Sequence, residues 1–189
     1  RTFRYQGEKI MDFILSLLQK ERAAVIVISS VRELSPANIS ELEKYNPLAL
    51  FAGDGEFRPA LEQMIADKGL EKHAKLLGIL RQDKIKDVLR ASDCFLIASD
   101  FEGTSVSLME AMSNGMPVLA SDVSGLNKMI EDNVSGLLFE RRNADDLKKK
   151  IISLYEDPCL AERLSRCAGM RYLEKYDYGN VISSYSEII

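Results

Sequence analysis

Two glutamates eight residues apart, Glu102 and Glu110, enclose the polar turn Gly103-Thr104-Ser105 in the stretch FEGTSVSLMEAMSNGMPVLAS, residues 101–121. Paired carboxylates first suggest general acid–base chemistry. A glycosidic acid–base pair needs a separation of roughly 5 to 9.5 Å. A turn and a helical segment between the two glutamates put them further apart than that, so they read as two hydrogen-bonding sites. If a helix begins at Thr104-Ser105, the amides of Thr104, Ser105 and Val106 and the positive end of the helix dipole form a place for a phosphate. Glu110, about six residues into that helix, lies roughly 9 Å further along at 1.5 Å per residue. A carboxylate there accepts hydrogen bonds from a ribose diol, and Glu102 falls beyond the phosphate on the other side. Spacing alone equally describes a solvated loop glutamate and an ordinary exposed helical one.

The elements that must hold these groups follow from hydrophobic pattern. CFLIAS (94–99) is a buried-strand run ended by Ser99-Asp100. Val106, Leu108, Met109 and Met112 recur at helical spacing, Asn114-Gly115 stops the helix, and PVLAS (117–121) is the next strand. Upstream, residues 10–20 carry one apolar helical face, VIVISSV (25–31) is a strand, Ser35-Pro36 opens a short helix through Tyr45, and residues 48–53 form a second strand. A helix over 59–68, the strand AKLLG (74–78), and a helix capped by Asp83 and running through Ala91 complete that half. Beyond PVLAS, the pattern predicts a short helix over 125–132, the strand GLLF (136–139), and helices over 144–156, 160–176 and 178–189. Six strand candidates separated by helices predict a doubly wound parallel sheet with its ligand at the carboxyl ends of the strands. Gly53, Gly78 and Ser99 all fall at such ends.

Composition narrows the classes. At 189 residues and 46% apolar content the chain suffices for one full α/β domain, and one compact domain is expected in preference to two. A net charge of −4 lacks the basic footprint of a nucleic-acid binder. Cys94, Cys159 and Cys167 form no ligand pattern, and an odd count argues against a disulfide framework, which fits a reducing cytoplasm. The run AAVIVISSV (23–31) is too short to span a bilayer, and the start at Arg1 suggests a fragment of a longer chain. His73 reads as a surface residue, no metal-ligand cluster is evident, and Lys148 to Lys150 read as a solvated helix face.

The order Glu, seven residues, Glu-Ala-Met, then Asn-Gly-Met-Pro-Val and a strand resembles the signature of glycosyltransferase family 4, the large retaining group with the GT-B fold. The resemblance implies a Rossmann-like donor domain over 25–189, the carboxyl-terminal half of a GT-B architecture, preceded by a helical lead-in over 1–24. It implies Glu102 at the donor sugar, Glu110 at the ribose, and Gly103, Thr104, Ser105 and Val106 around the pyrophosphate. Gly53 and Gly55 of Gly53-Asp54-Gly55 would shape the floor below the phosphates, and the backbone at Leu80 would meet the nucleobase. Of the Arg and Lys that family members carry after the first strand, Arg32 is the counterpart here, with Arg4 and Lys9 as the alternative pair. The acidic residue common after the glycine near 125 is replaced by Asn127-Lys128. The implied donor is a UDP- or GDP-linked sugar, used without metal or other cofactor. The implied acceptor is a saccharide or glycoconjugate, met at the inner membrane face. An amino-terminal GT-B domain has no counterpart in these residues. A stand-alone nucleotide-sugar binding module and an epimerase-like protein of similar fold remain the alternatives.

Overall fold

The computed structural model describes residues 25–28, 48–56, 58–67, 69, 71, 74–90 and 92–177. Six parallel strands form its centre: β1 (Val25–Ile28), β2 (Leu48–Ala52), β3 (Ala74–Gly78), β4 (Cys94–Ile97), β5 (Val118–Ser121) and β6 (Leu137–Phe139). Their order across the sheet is β3-β2-β1-β4-β5-β6. The chain winds outward from β1 through β2 to β3, then returns to the other side of β1 for β4 and continues outward. Register is tight around the reversal, with Ile28 level with both Phe51 of β2 and Leu96 of β4. The strand order reverses between β1 and β4, the switch point at whose carboxyl ends sheets of this kind bind ligands.

Strand residues alternate strictly between two cores. Phe51, Cys94, Leu96, Leu119, Leu137 and Phe139 face one side, against helices α1 (Arg58–Asp67) and α5 (Ala144–Glu156). Phe95, Ile97, Val118 and Ala120 face the other, against α2 (Gln82–Arg90), α3 (Val106–Ser113) and α4 (Leu126–Met129). Right-handed crossovers require this division, because reversing the winding direction moves the helices to the opposite face. Burial on both faces explains why the strands read as continuous apolar runs in the sequence. The long helix α6 (Pro158–Lys175) contributes Leu164 to the first core and Ala168 to the second.

Several sequence expectations shift by a few residues, for local reasons. Helix α6 begins at Pro158 and not at Leu160, because Asp157 caps it by accepting from the Leu160 amide at 3.0 Å and proline suits the first turn. Asp83 lies inside the first turn of α2 and does not precede it. The helix expected over 125–132 is a single turn, since Ile130 already has extended dihedrals. The lysine run is not a solvated face: Lys148 is 8% exposed and pairs with Asp145 at 3.7 Å, Lys150 reaches Asp132 at 3.8 Å, and Lys149 alone faces solvent. Burial of Lys148 takes its aliphatic stem out of solvent while its ammonium reaches an exposed carboxylate. The lead-in over 1–24, Arg32, the helices expected over 35–45 and 178–189, and His73 lie outside the described residues. No helix among the described residues is long and apolar enough to cross a membrane.

Candidate functional site

Glu102 sits on the loop that leaves the carboxyl end of β4, at the reversal of strand order. The loop is anchored at its origin. Ser121, at the end of β5, donates its hydroxyl to the Ser99 carbonyl at 2.6 Å and accepts from the Ser99 amide at 3.1 Å. The Ser99 hydroxyl donates in turn to Glu102 Oε2 at 3.3 Å. Asp100 receives a two-pronged contact from Arg142, at 3.0 and 2.7 Å, and its carbonyl accepts from Arg141 at 3.3 Å. Arg142 itself has a left-handed backbone, φ 64°. Gly125 closes the remaining side. A β-carbon there would lie 2.0 Å from the Glu102 carbonyl oxygen and 2.4 Å from that of Gly103.

Helix α3 then starts one residue later than a cap at Thr104 would place it. Ser105 is the cap: its backbone is extended and its hydroxyl accepts from the Leu108 amide at 3.3 Å. Glu110 is consequently the fifth helical residue, about 6 Å along the axis from the Val106 amide, closer than the 9 Å that a start at Thr104 implies. Half-buried, it extends a carboxylate that accepts no hydrogen bond among the described residues. The three amides expected around the phosphate differ. Those of Thr104 and Val106 donate to nothing among the described residues, whereas the buried Ser105 amide points at Met129 Sδ, 3.4 Å away. Met129 belongs to α4, whose terminal carbonyls are held by Arg171 at 2.7 Å from Met129 O and 3.1 Å from Lys128 O. A thioether is a weak acceptor.

On the β2–β3 side, Gly53 and Gly78 form a bridge in which the Gly53 amide donates to the Gly78 carbonyl at 2.8 Å. Both have positive φ, 125° and 67°, so this closure of two strand ends requires residues free of a β-carbon's constraint. The Gly55 amide turns back onto Asp54 Oδ1 at 2.8 Å, and Asp54 pairs with Arg58 at 3.2 Å. The Arg58 guanidinium titrates above its ordinary range, chiefly through its hydrogen bond to Glu62, with desolvation opposing the rise and the nearby Asp54 and Glu62 charges adding to it. Leu80 follows the bend after β3, half-buried, with its backbone groups unpartnered among the described residues. Its neighbour Ile79 is 84% exposed. Gly53, Gly55, Leu80, Glu102 and the α3 terminus thus share one rim.

Sequence reading passed over Ser99, Ser121, Gly125 and Met129 as site residues. Serines ending two adjacent parallel strands were a usable signal for the first pair. Nothing local marks Met129, which arrives through tertiary packing. Behind the site, burial drives the Cys94 thiol far above the ordinary range, with the Asp93 charge adding to it, so β4 carries an un-ionised thiol.

A cavity of about 530 Å³ opens elsewhere, along β6, lined by Asp122, Asp132, Glu140, Arg141 and Asp146. Its carboxylates are occupied. Asp132 accepts from the Leu138 amide at 2.7 Å, Asp146 from the Glu140 amide at 2.7 Å, and Asp122 from Asn127 at 2.9 Å. The first two contacts satisfy outward amides at the sheet's edge strand, which protects that edge from pairing with another chain. The rim, where amides and a carboxylate are left open, is the better candidate.

A doubly wound sheet with a helix terminus and two carboxylates at its reversal defines a domain of the Rossmann-like class. The chain belongs to the family of glycosyl transferases group 1, whose pattern matches residues 5–169. It is 29% identical over 127 residues to the alpha-D-kanosaminyltransferase of Streptomyces kanamyceticus, covering 67% of this chain and 33% of that protein. To the amylovoran biosynthesis glycosyltransferase AmsK of Erwinia amylovora it is 41% identical over 108 residues, 54% of this chain and 26% of that one. To the poly(ribitol-phosphate) alpha-N-acetylglucosaminyltransferase of Staphylococcus aureus it is 27% identical over 182 residues, covering 96% of this chain but only 35% of the relative. The chain thus spans about a third of the length of these relatives.

Among solved structures, Anabaena HepE in complex with UDP is similar with a TM-score of 0.74 at 24% identity, over 88% of this chain and 48% of that one. The C-terminal domain of a glycosyl transferase group 1 family protein (LpcC) from Francisella tularensis is similar with a TM-score of 0.68 at 22% identity, over 90% of this chain and 93% of that one. The fold is the carboxyl-terminal domain of a GT-B architecture, as the resemblance implied.

Proposed function

We propose that this chain is the donor-binding domain of a retaining glycosyltransferase, which moves a sugar from a UDP- or GDP-linked donor to a saccharide or glycoconjugate acceptor. The observation that carries this reading is the arrangement around α3. Two unpartnered amides, at Thr104 and Val106, stand at a helix N-terminus between the braced carboxylate of Glu102 and the unpaired carboxylate of Glu110. The pyrophosphate sits at that terminus, Glu110 takes the ribose diol, and Glu102 faces the donor sugar. Ser105 contributes its amide only by giving up the weak contact to Met129 Sδ. Leu80 supplies backbone groups to the base across the rim, and Gly53 and Gly55 form the floor.

In transfer, the bond from the sugar's anomeric carbon to the diphosphate oxygen breaks and a bond to the acceptor hydroxyl oxygen forms. The diphosphate leaves with the pair of electrons and takes up the proton that the acceptor hydroxyl gives up. The α3 dipole and the amides there stabilise its growing charge without a metal. An amino-terminal domain outside these residues supplies the acceptor site, so the 189-residue chain alone binds donor without turnover.

Calorimetric titration separates the two carboxylates. Glu110→Ala removes hydrogen bonds to a charged acceptor worth about 1.5 to 3 kcal/mol, so both bare nucleotide diphosphate and nucleotide sugar bind roughly ten- to a hundredfold more weakly. Glu102→Ala spares the bare nucleotide and weakens the nucleotide sugar. Indifference of both ligands to both substitutions refutes the placement. A strict requirement for added magnesium or manganese in these titrations refutes the metal-independent part.

A further inference from the structure

Glu102 is the last member of a polar chain that begins inside the sheet. Ser121 is 2% exposed, and its one hydroxyl occupies both backbone groups of Ser99, donating to the carbonyl at 2.6 Å and accepting from the amide at 3.1 Å. The two strands stop pairing at Ile97 and Ala120. Ser121 therefore carries the order of the sheet across the point where the ladder ends. The backbone it fixes sets the direction of the Ser99 hydroxyl, which donates to Glu102 Oε2 at 3.3 Å. The main chain of Glu102 cannot retreat from this contact on the side of Gly125, where even a β-carbon would lie 2.0 Å from its carbonyl oxygen. Glu110, in contrast, is placed by its helix alone.

A glutamate on a loop has three side-chain torsions to lose when it engages a ligand, and an existing hydrogen bond removes part of that loss beforehand. The geometry points to Ser99 and Ser121 as positioning residues that hold Glu102 in the orientation in which it meets the donor sugar, an assignment that rests on the donor reading above. The bare nucleotide, which lacks the sugar, is indifferent to them.

The test is calorimetry on the 189-residue chain with UDP, GDP, UDP-glucose and GDP-mannose, using whichever base binds. Ser99→Ala is expected to weaken the nucleotide sugar about three- to tenfold while leaving the bare nucleotide within about twofold, and Ser99→Thr, which keeps the hydroxyl, restores the difference. In a Glu102→Ala background Ser99→Ala adds nothing, because the group it positions is gone. Equal weakening of both ligands, or losses that add in the double variant, overturn the assignment. A wild-type chain that binds none of the four overturns the donor reading itself and this assignment with it; a wild-type chain that binds normally beside a Ser99→Ala chain that loses nothing overturns the assignment alone. Ser121→Ala leaves two backbone groups unpaired near the core and risks unfolding, so the Ser99 variants carry the test.

Discussion

On the β4–β5 side of the rim the loop carrying Glu102 is fixed from three directions, by Ser121, by Arg141 and Arg142, and by Gly125. On the β2–β3 side the Gly53-Asp54-Gly55 turn is closed by two backbone hydrogen bonds, Gly53 to Gly78 and Arg58 to Gly55, and an exposed ion pair. The difference follows what each side offers a ligand. A side chain that must point at a sugar has rotamers to control, and control takes several partners from different elements. A turn that offers only backbone to a phosphate or base needs its dihedrals set, which glycines and backbone hydrogen bonds accomplish. Substitutions should therefore be felt strongly on the first side and weakly on the second.

Gly125→Ala tests the strong side hardest. The new methyl group would overlap two backbone carbonyls, and the residue would hold φ 105°, a conformation side chains rarely adopt. Overpacking of this kind and the left-handed backbone together cost about 3 kcal/mol. A matching fall in urea stability, with nucleotide-sugar affinity lost before nucleotide affinity, is the expected outcome. An alanine variant as stable as wild type would mean that the loop yields freely, and the comparison would fail at its firmest point.

How far the sequence discloses these two sides depends on the range of the interactions. Strands β2, β3 and β4 and helices α3 and α5 are legible because continuous apolar runs, helical spacing and Gly or Asn stops are local. Gly53, Gly55, Leu80 and Glu102 fall on one rim because each follows the carboxyl end of a strand, and Glu110 follows from the helix that starts there. The bracing is not legible, since Ser99 and Ser121 are 22 residues apart and Arg142 and Asp100 are 42 apart. No pattern within one element requires these contacts. Thr104 and Ser105 both suit a cap by sequence, and the choice between them is tertiary, because Ser105 is buried against Met129 while Thr104 stays exposed. The lysine run misled because its charge says nothing of where the aliphatic stems lie.

Arg142→Ala gives an intermediate effect. Asp100 is only 19% exposed, but the arginine is 45% exposed, and solvent screens such a pair. Loss of about 0.5 to 1 kcal/mol is expected, shrinking in high salt. A nucleotide-sugar affinity that drops more than stability does would show that Asp100 transmits its restraint to Glu102 two residues on. No change in either would reduce the three restraints to two.

Arg58→Ala completes the series with the smallest effect. The guanidinium holds Asp54 at 3.2 Å and Glu62 at 2.8 Å, both acidic partners being more than a third exposed, so solvent takes over what the arginine gives up. The Gly53 amide keeps its carbonyl partner on Gly78 because that bond depends on the two glycine backbones and not on the ion pair. Unfolding midpoints of variant and wild type should coincide at physiological salt. Hydrogen exchange at the Gly53 amide should be equally slow in both. If Arg58→Ala instead exposes that amide to rapid exchange, the ion pair and not the glycine closure organises the β2–β3 side, and both halves of the rim would then depend on side-chain restraint.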